Sequence, residues 1–141
     1  MFELHSSLAE DCYYLGDFTL SRLLLMNDCQ YPWFILVPQV NGVSEIYQLS
    51  QRDQGQLVSE SSMLSETLAS VFHADKINIA ALGNIVPQLH LHHIVRYKTD
   101  VAWPQPIWGK KVAKPYEDAQ VTAIREKLIL AFSLHFKPLE S

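Results

Sequence analysis

Residues 88–94 read Gln-Leu-His-Leu-His-His-Ile and place three of the chain's six histidines side by side or nearly so. They lie inside an apolar run from Ile77 to Val95. In an extended strand successive side chains point to opposite faces. The spacing therefore predicts Gln88, His90 and His92 on one face, with Leu89, Leu91 and His93 on the other. Two imidazoles and an amide on one edge, backed by leucines, suit nucleophilic or metal chemistry. The plainer alternative is a strand whose half-buried histidines are satisfied by backbone bonds. A metal site built on His90 and His92 would need a remote carboxylate. No His-x-x-Glu or carboxylate cluster lies nearby, so no metal and no cofactor is expected.

The flanking sequence predicts a mixed α and β chain. Residues 5 to 14 read as a short helix closed by Gly16 as a left-handed cap. Leu20 to Met26 reads as a strand, Asn27-Asp28 as a turn, and Trp33 to Val37 as the partner strand stopped by Pro38. Ser44 is placed to cap a single turn around Glu45 to Leu49. Ser50 with Asp53 resembles a capping box. Beyond it Leu57, Met63, Leu64, Leu68, Val71 and Phe72 recur at helical spacing for about six turns, which is the core face of an amphipathic helix. Lys76 to Leu82 reads as a strand, Gly83-Asn84 as a turn and Leu89 to Tyr97 as the histidine strand, the two strands antiparallel neighbours. Trp103 to Gly109 is an aromatic, proline-rich loop, suited to covering a core edge or to stacking on a base. A final helix of about 19 residues is expected with Pro115 in its first turn.

Composition bounds the rest. A chain of 141 residues fits one domain with its own core, 1–141. Its 48% hydrophobic and 18% charged residues are ordinary for a globular protein. A net charge of −4 argues against a protein that coats nucleic acid. Cys12 and Cys29 stand far apart, outside any zinc-binding spacing. The opening MFELHSSLAED lacks a secretory pattern and no membrane span is expected, so the expectation is a cytoplasmic protein with free thiols.

The histidine strand also carries a resemblance. A strand bearing His-φ-His-φ-His-φ-φ, with φ apolar, defines the histidine triad (HIT) superfamily of nucleotide hydrolases and transferases. Gln88 to Ile94, followed by Val95-Arg96, is similar to that motif, with Gln88 where the first histidine stands. Ser21 to Pro38 resembles the family's first hairpin and Gln51 to Phe72 its long helix. The likeness covers roughly residues 15 to 98, and leaves the loop and helix of 99–141 outside it. The resemblance implies an α+β fold: an antiparallel sheet of about five strands with a long helix and a C-terminal helix. It also implies a homodimer formed through the long helix and the strand beside it.

In the resembled family the middle histidine forms a covalent nucleotidyl adduct, which here is His90. The next histidine binds the α-phosphate, which here is His92. Asn27 matches the polar residue that contacts ribose, and Asn84 is a remnant of a turn asparagine. Gln88 is neutral, and its amide is suited to orienting a neighbour or bonding a phosphate oxygen. The implied function is hydrolysis or transfer at a nucleoside α-phosphate, on nucleoside phosphoramidates or dinucleoside polyphosphates. Two further departures accompany Gln88: Trp33-Phe34 replaces the family's Gly-His, and the turn before the motif is shortened. They open an alternative, a nucleotide-binding or interaction module with little turnover. On the enzyme reading, Gln88→His with Phe34→His should raise turnover. His93 is expected to be packed, His73 to end the long helix, and His5 and His135 to be exposed near the termini.

Overall fold

The computed structural model describes residues 1–139. The elements are α1 (Ser6–Asp11), β1 (Cys12–Asp17), β2 (Ser21–Met26), β3 (Trp33–Pro38), α2 (Gln51–Phe72), β4 (Lys76–Ala80), β5 (Leu91–Arg96), α3 (Asp118–Ala131) and β6 (Lys137–Pro138). A single 3₁₀ turn, Ile46–Gln48, precedes α2. The fold is α+β, built on a six-stranded sheet in the order β4-β5-β3-β2-β1-β6. Every strand pair is antiparallel.

The two faces of the sheet are covered differently. Leu23, Leu25, Phe34, Leu36, Leu91 and Val95 point toward Leu57, Leu64 and Leu68 of α2 and Leu128 of α3. Each of these buried side chains contributes roughly 1.5–3 kcal/mol relative to exposure. The opposite face is thinner. There Leu24, Ile35 and Val37 meet Leu8 of α1, and Ile94 meets Ala102 and Ile107 of the loop after β5. Ser50 Oγ accepts from the Asp53 N–H at 3.1 Å, so α2 starts where its cap predicts. His73 ends it in a left-handed conformation (φ 53°, ψ 52°).

One buried charge sets the seat of α2. Glu60 is fully buried, and its carboxylate accepts from the main-chain N–H groups of Leu20 (2.8 Å) and Ser21 (3.1 Å). Gln56 Nε2 donates to the same carboxylate at 2.9 Å. These bonds replace its lost hydration and tie the middle of the long helix to the β1–β2 turn.

Three sequence expectations change. The first helix stops at Asp11 rather than residue 14, because Cys12 to Tyr14 pair with Met26, Leu25 and Leu24 and become β1. Gly16 is therefore not a helix cap. It has φ +151°, and a Cβ there would stand 2.6 Å from Phe136 Cζ and 2.9 Å from Pro138 Cα, so close approach of the C-terminal strand requires glycine. The last helix is 14 residues long and starts at Asp118, behind a Glu117–Gln120 capping box. Pro115 lies before it, because its neighbours bond the β2–β3 turn. Lys114 O accepts from Cys29 N–H at 2.7 Å, and Asn27 Oδ1 accepts from Tyr116 N–H at 2.8 Å. β5 begins at Leu91 rather than Leu89, whose N–H bonds Val43 O at 3.0 Å. None of the helices among the described residues is long and apolar enough to cross a membrane.

Candidate functional site

β5 and the two residues ahead of it sort the histidines by parity. His90 and His92 lie on the α1 side with their ring centroids 4.9 Å apart at 72°. His93 points the other way, toward α2. Both cluster members are nearly buried, 6% and 5% exposed, yet they line a cavity of about 510 Å³ with Leu8, Asp11, Trp33 and Trp108.

Hydrogen bonding gives each ring a different chemistry. His90 Nδ1 lies 2.7 Å from Gln88 O. A carbonyl only accepts, so Nδ1 carries a proton, and in the neutral ring Nε2 keeps a free lone pair. His92 Nδ1 lies 3.0 Å from Trp33 Nε1. An indole N–H only donates, so Nδ1 of His92 is bare and its proton sits on Nε2. Burial first, then the neighbouring His90 and His93, push His92 down to about 4. At neutral pH it is therefore an uncharged N–H donor. His93 donates from Nδ1 to Leu91 O at 3.1 Å, and its Nε2 accepts from Ser61 Oγ at 2.7 Å. Burial pushes it down to about 4 as well, against the opposing pull of the Leu91 carbonyl. Both its nitrogens are occupied and it is fully buried.

The remaining residues named from sequence separate into those on the cavity and those off it. Asn84 lines the same cavity as the histidines. Asn27 lines a second one of about 380 Å³. The two cavities share Asp11, Met26, Trp33 and Trp108 as walls. Gln88 does not line the histidine cavity, although its carbonyl holds His90. Its side-chain amide faces the N-terminal segment, donating to Glu3 O at 2.9 Å and accepting from His5 N–H at 2.8 Å. Phe34 is likewise off the site. It is fully buried on the α2 side, 5.9 Å from the Phe72 ring. A histidine placed there would enter the core rather than the cavity.

Trp33 is the group that sequence reading missed. β3 pairs with β5 in the register Trp33↔Ile94 and Ile35↔His92, so Trp33 and Ile35 share the face of His92. No local pattern in the sequence gives that pairing. The aromatic loop divides in two. Trp108 stands 5.3 Å from the His92 ring and 6.3 Å from Trp33, edge-on to both, whereas Trp103 covers Arg96 at 5.5 Å. Arg96 is buried in an ion pair with Asp100 at 2.8 Å and also donates to Asn78 Oδ1 and Gln105 O. Burial alone would raise the Asp100 pKa. The Arg96 guanidinium and the N–H groups of Tyr97 and Ala102 hold it below its usual value instead. The motif arginine therefore locks the loop that carries Trp108. It does not face the cavity, whose lining includes neither lysine nor arginine. No group of three or more His, Cys, Asp or Glu is positioned to hold a metal ion among the described residues.

His90 and His92 thus stand side by side on one wall of the cavity, at the start of β5, one ring held by a carbonyl and the other by an indole. The sequence profile of the HIT domain family matches residues 9–99. The chain belongs to the HIT family. Among solved structures it is similar to a histidine triad protein from Marinobacter aquaeolei VT8, with 52% identity and a TM-score of 0.91 over 94% of this chain and 96% of that one. A histidine triad protein from Bradyrhizobium japonicum is 41% identical, with a TM-score of 0.91 over 93% and 98% of the two chains. One from Sinorhizobium meliloti 1021 is 37% identical, with a TM-score of 0.92 over 94% and 98%. A search of curated proteins found no match. In this HIT protein the side chain of Gln88, two residues before His90, is turned away from the cavity, and Trp33 Nε1–H holds His92.

Proposed function

We propose that this HIT protein hydrolyses or transfers a nucleotidyl group at a nucleoside α-phosphate through an adduct on His90 Nε2. The observation that carries the reading is the pair of bonds that leaves His90 Nε2 free and His92 Nε2 protonated, side by side in one cavity. In the first step Nε2 of His90 bonds to phosphorus as the bond to the leaving group breaks, a phosphoramidate's amine leaving with a proton taken from solvent and a polyphosphate leaving as its anion. Gln88 O holds the Nδ1 proton and stabilises the positive charge that develops on the ring. His92 Nε2–H donates to a phosphoryl oxygen, where preorganised donors contribute most to such transfers. In the second step water attacks phosphorus and gives up a proton to solvent, Nε2 departs as neutral imidazole, and the nucleoside monophosphate is released. Asn84 borders the reacting group, and Asn27 borders the adjoining cavity into which the nucleoside extends. Nucleoside phosphoramidates and dinucleoside polyphosphates are the substrate classes, and the working unit is a homodimer.

The deciding experiment is mass spectrometry of acid-labile adducts after rapid mixing with adenosine phosphoramidate. A nucleotidyl group on His90 supports the enzyme, and its absence with every substrate class overturns it. One observation favours the second reading, a binding module with little turnover. The cavity offers neutral donors and no lysine or arginine to offset phosphate charge. Calorimetry with adenosine monophosphate separates the two, since binding without adduct or turnover belongs to the module. Light scattering at micromolar concentration tests the dimer, which a monodisperse monomer would exclude.

A further inference from the structure

We propose that the Gln88 side chain is a positioning residue that anchors the N-terminal segment over the histidines and so sets the shape of the substrate cavity. Its amide does not serve as a phosphate ligand. Nε2 donates to Glu3 O and Oε1 accepts from His5 N–H. These two main-chain groups flank Leu4, as the bonds of an adjacent strand would in a parallel ladder. One side chain thus takes the place of a strand. An imidazole cannot do the same, because its donor and acceptor nitrogens point away from each other across the ring. That difference gives a physical reason for glutamine where the motif has histidine.

The anchor acts on the cavity through α1. The bond to His5 N–H falls at the helix N-cap, and the His5 ring accepts the Ser7 N–H at 3.1 Å. Leu4 and Phe2 then pack with Leu8 against Leu24, Ile35 and Val37. At the far end Asp11 O accepts from Asn27 N–H at 3.0 Å. Between these two ties α1 presents Ser7, Leu8 and Asp11 to the cavity that holds His90 and His92. A helix of six residues is far too short to persist without such ties. Gln88 therefore works twice. Its carbonyl orients the nucleophile, a role that survives substitution, and its amide seats the opposite wall, a role that does not.

The kinetic arm of the test rests on the nucleotide function proposed above, and the other arms do not. Gln88→Met keeps side-chain length and removes both amide bonds, while Gln88→Glu keeps the acceptor for His5 alone. Hydrogen exchange on the intact chain should speed up by about tenfold or more at residues 3–11 in Gln88→Met, and by less in Gln88→Glu. Acrylamide quenching of tryptophan emission should increase as the cavity opens around Trp33 and Trp108. KM for a phosphoramidate, and Kd for adenosine monophosphate, should rise about fivefold with kcat within about twofold. Unchanged exchange would overturn the anchor. Faster exchange with unchanged quenching, KM and Kd would overturn its link to the cavity, and a fall in kcat at constant KM would return Gln88 to the phosphoryl group. Should the wild type neither bind nor turn over any nucleotide, the nucleotide function fails, and exchange and quenching still decide the anchor.

Discussion

The two faces of β5 carry the same side chain to opposite ends. On the α2 face His93 is fully buried, with one nitrogen on Leu91 O and the other on Ser61 Oγ. On the α1 face His90 and His92 each leave one ring nitrogen unclaimed at a cavity. Neither residue type nor burial distinguishes them, since all three are at most 6% exposed. What differs is whether the protein's own groups use both nitrogens. A closed imidazole is a piece of the core, and a half-closed one keeps a ring nitrogen available to a ligand.

The sharpest way to break this comparison is His90→Ala. With the free Nε2 gone, turnover should drop by at least about 10⁴-fold, as for loss of a nucleophile, while urea unfolding stays close to wild type. Full activity in that variant would end the distinction between the faces. His92→Ala removes only a neutral donor and should cost about 10²-fold in kcat/KM. Next comes the combined Gln88→His and Phe34→His variant. Contrary to the motif-based expectation, it should not raise turnover. Phe34 lies on the closed face, so a histidine there should lower unfolding stability by roughly 3 kcal/mol. Higher turnover would show that the core face communicates with the site.

The smallest effect concerns pH. His92 and His93 are each lowered from 6.5 to about 4. Between those values the unfolded chain binds protons that the folded chain refuses, so stability is full above pH 6.5 and falls as pH drops toward 4. Asp100 adds a loss of the same sign at lower pH, because its folded pKa also lies below its ordinary value. The free energy of urea unfolding should fall from about pH 7 to about pH 5.5 by on the order of 2 kcal/mol for the histidine pair. His93→Gln cannot titrate and should flatten that slope. An unchanged slope would mean that the closed face does not hold its histidine neutral.

Much of this was readable from local pattern. Period-two alternation placed His90 and His92 together and His93 apart, and cap chemistry found the start of α2 at Ser50. What escaped notice depends on residues distant in sequence. Trp33 reaches His92 only because β3 and β5 pair in one register. Gln88 turns away because Glu3 offers it a carbonyl and His5 an N–H. The alternation of Cys12 to Leu15 was hidden by a preceding helical pattern, and its partner is β2. The start of α3 was misjudged because the residues before Asp118 bond the Asn27–Cys29 turn. Local sequence announces periodicity and caps. Which polar group a side chain finally meets is decided by topology.

The ends of the sheet are unlike each other, and this bears on assembly. At one end β6 lays two residues against β1, Pro138 opposite Gly16 and Lys137 opposite Asp17. Proline offers no main-chain donor outward, and a lysine repels a copy of itself, so that border is a poor template for another strand. At the other end β4 has no neighbour beyond it among the described residues. A sheet that can extend from one border only, by meeting the same border of a second copy, closes after a single pairing and cannot run on into a filament. The two-residue strand β6 thus leaves β4 as the border of the described sheet that a further strand could extend.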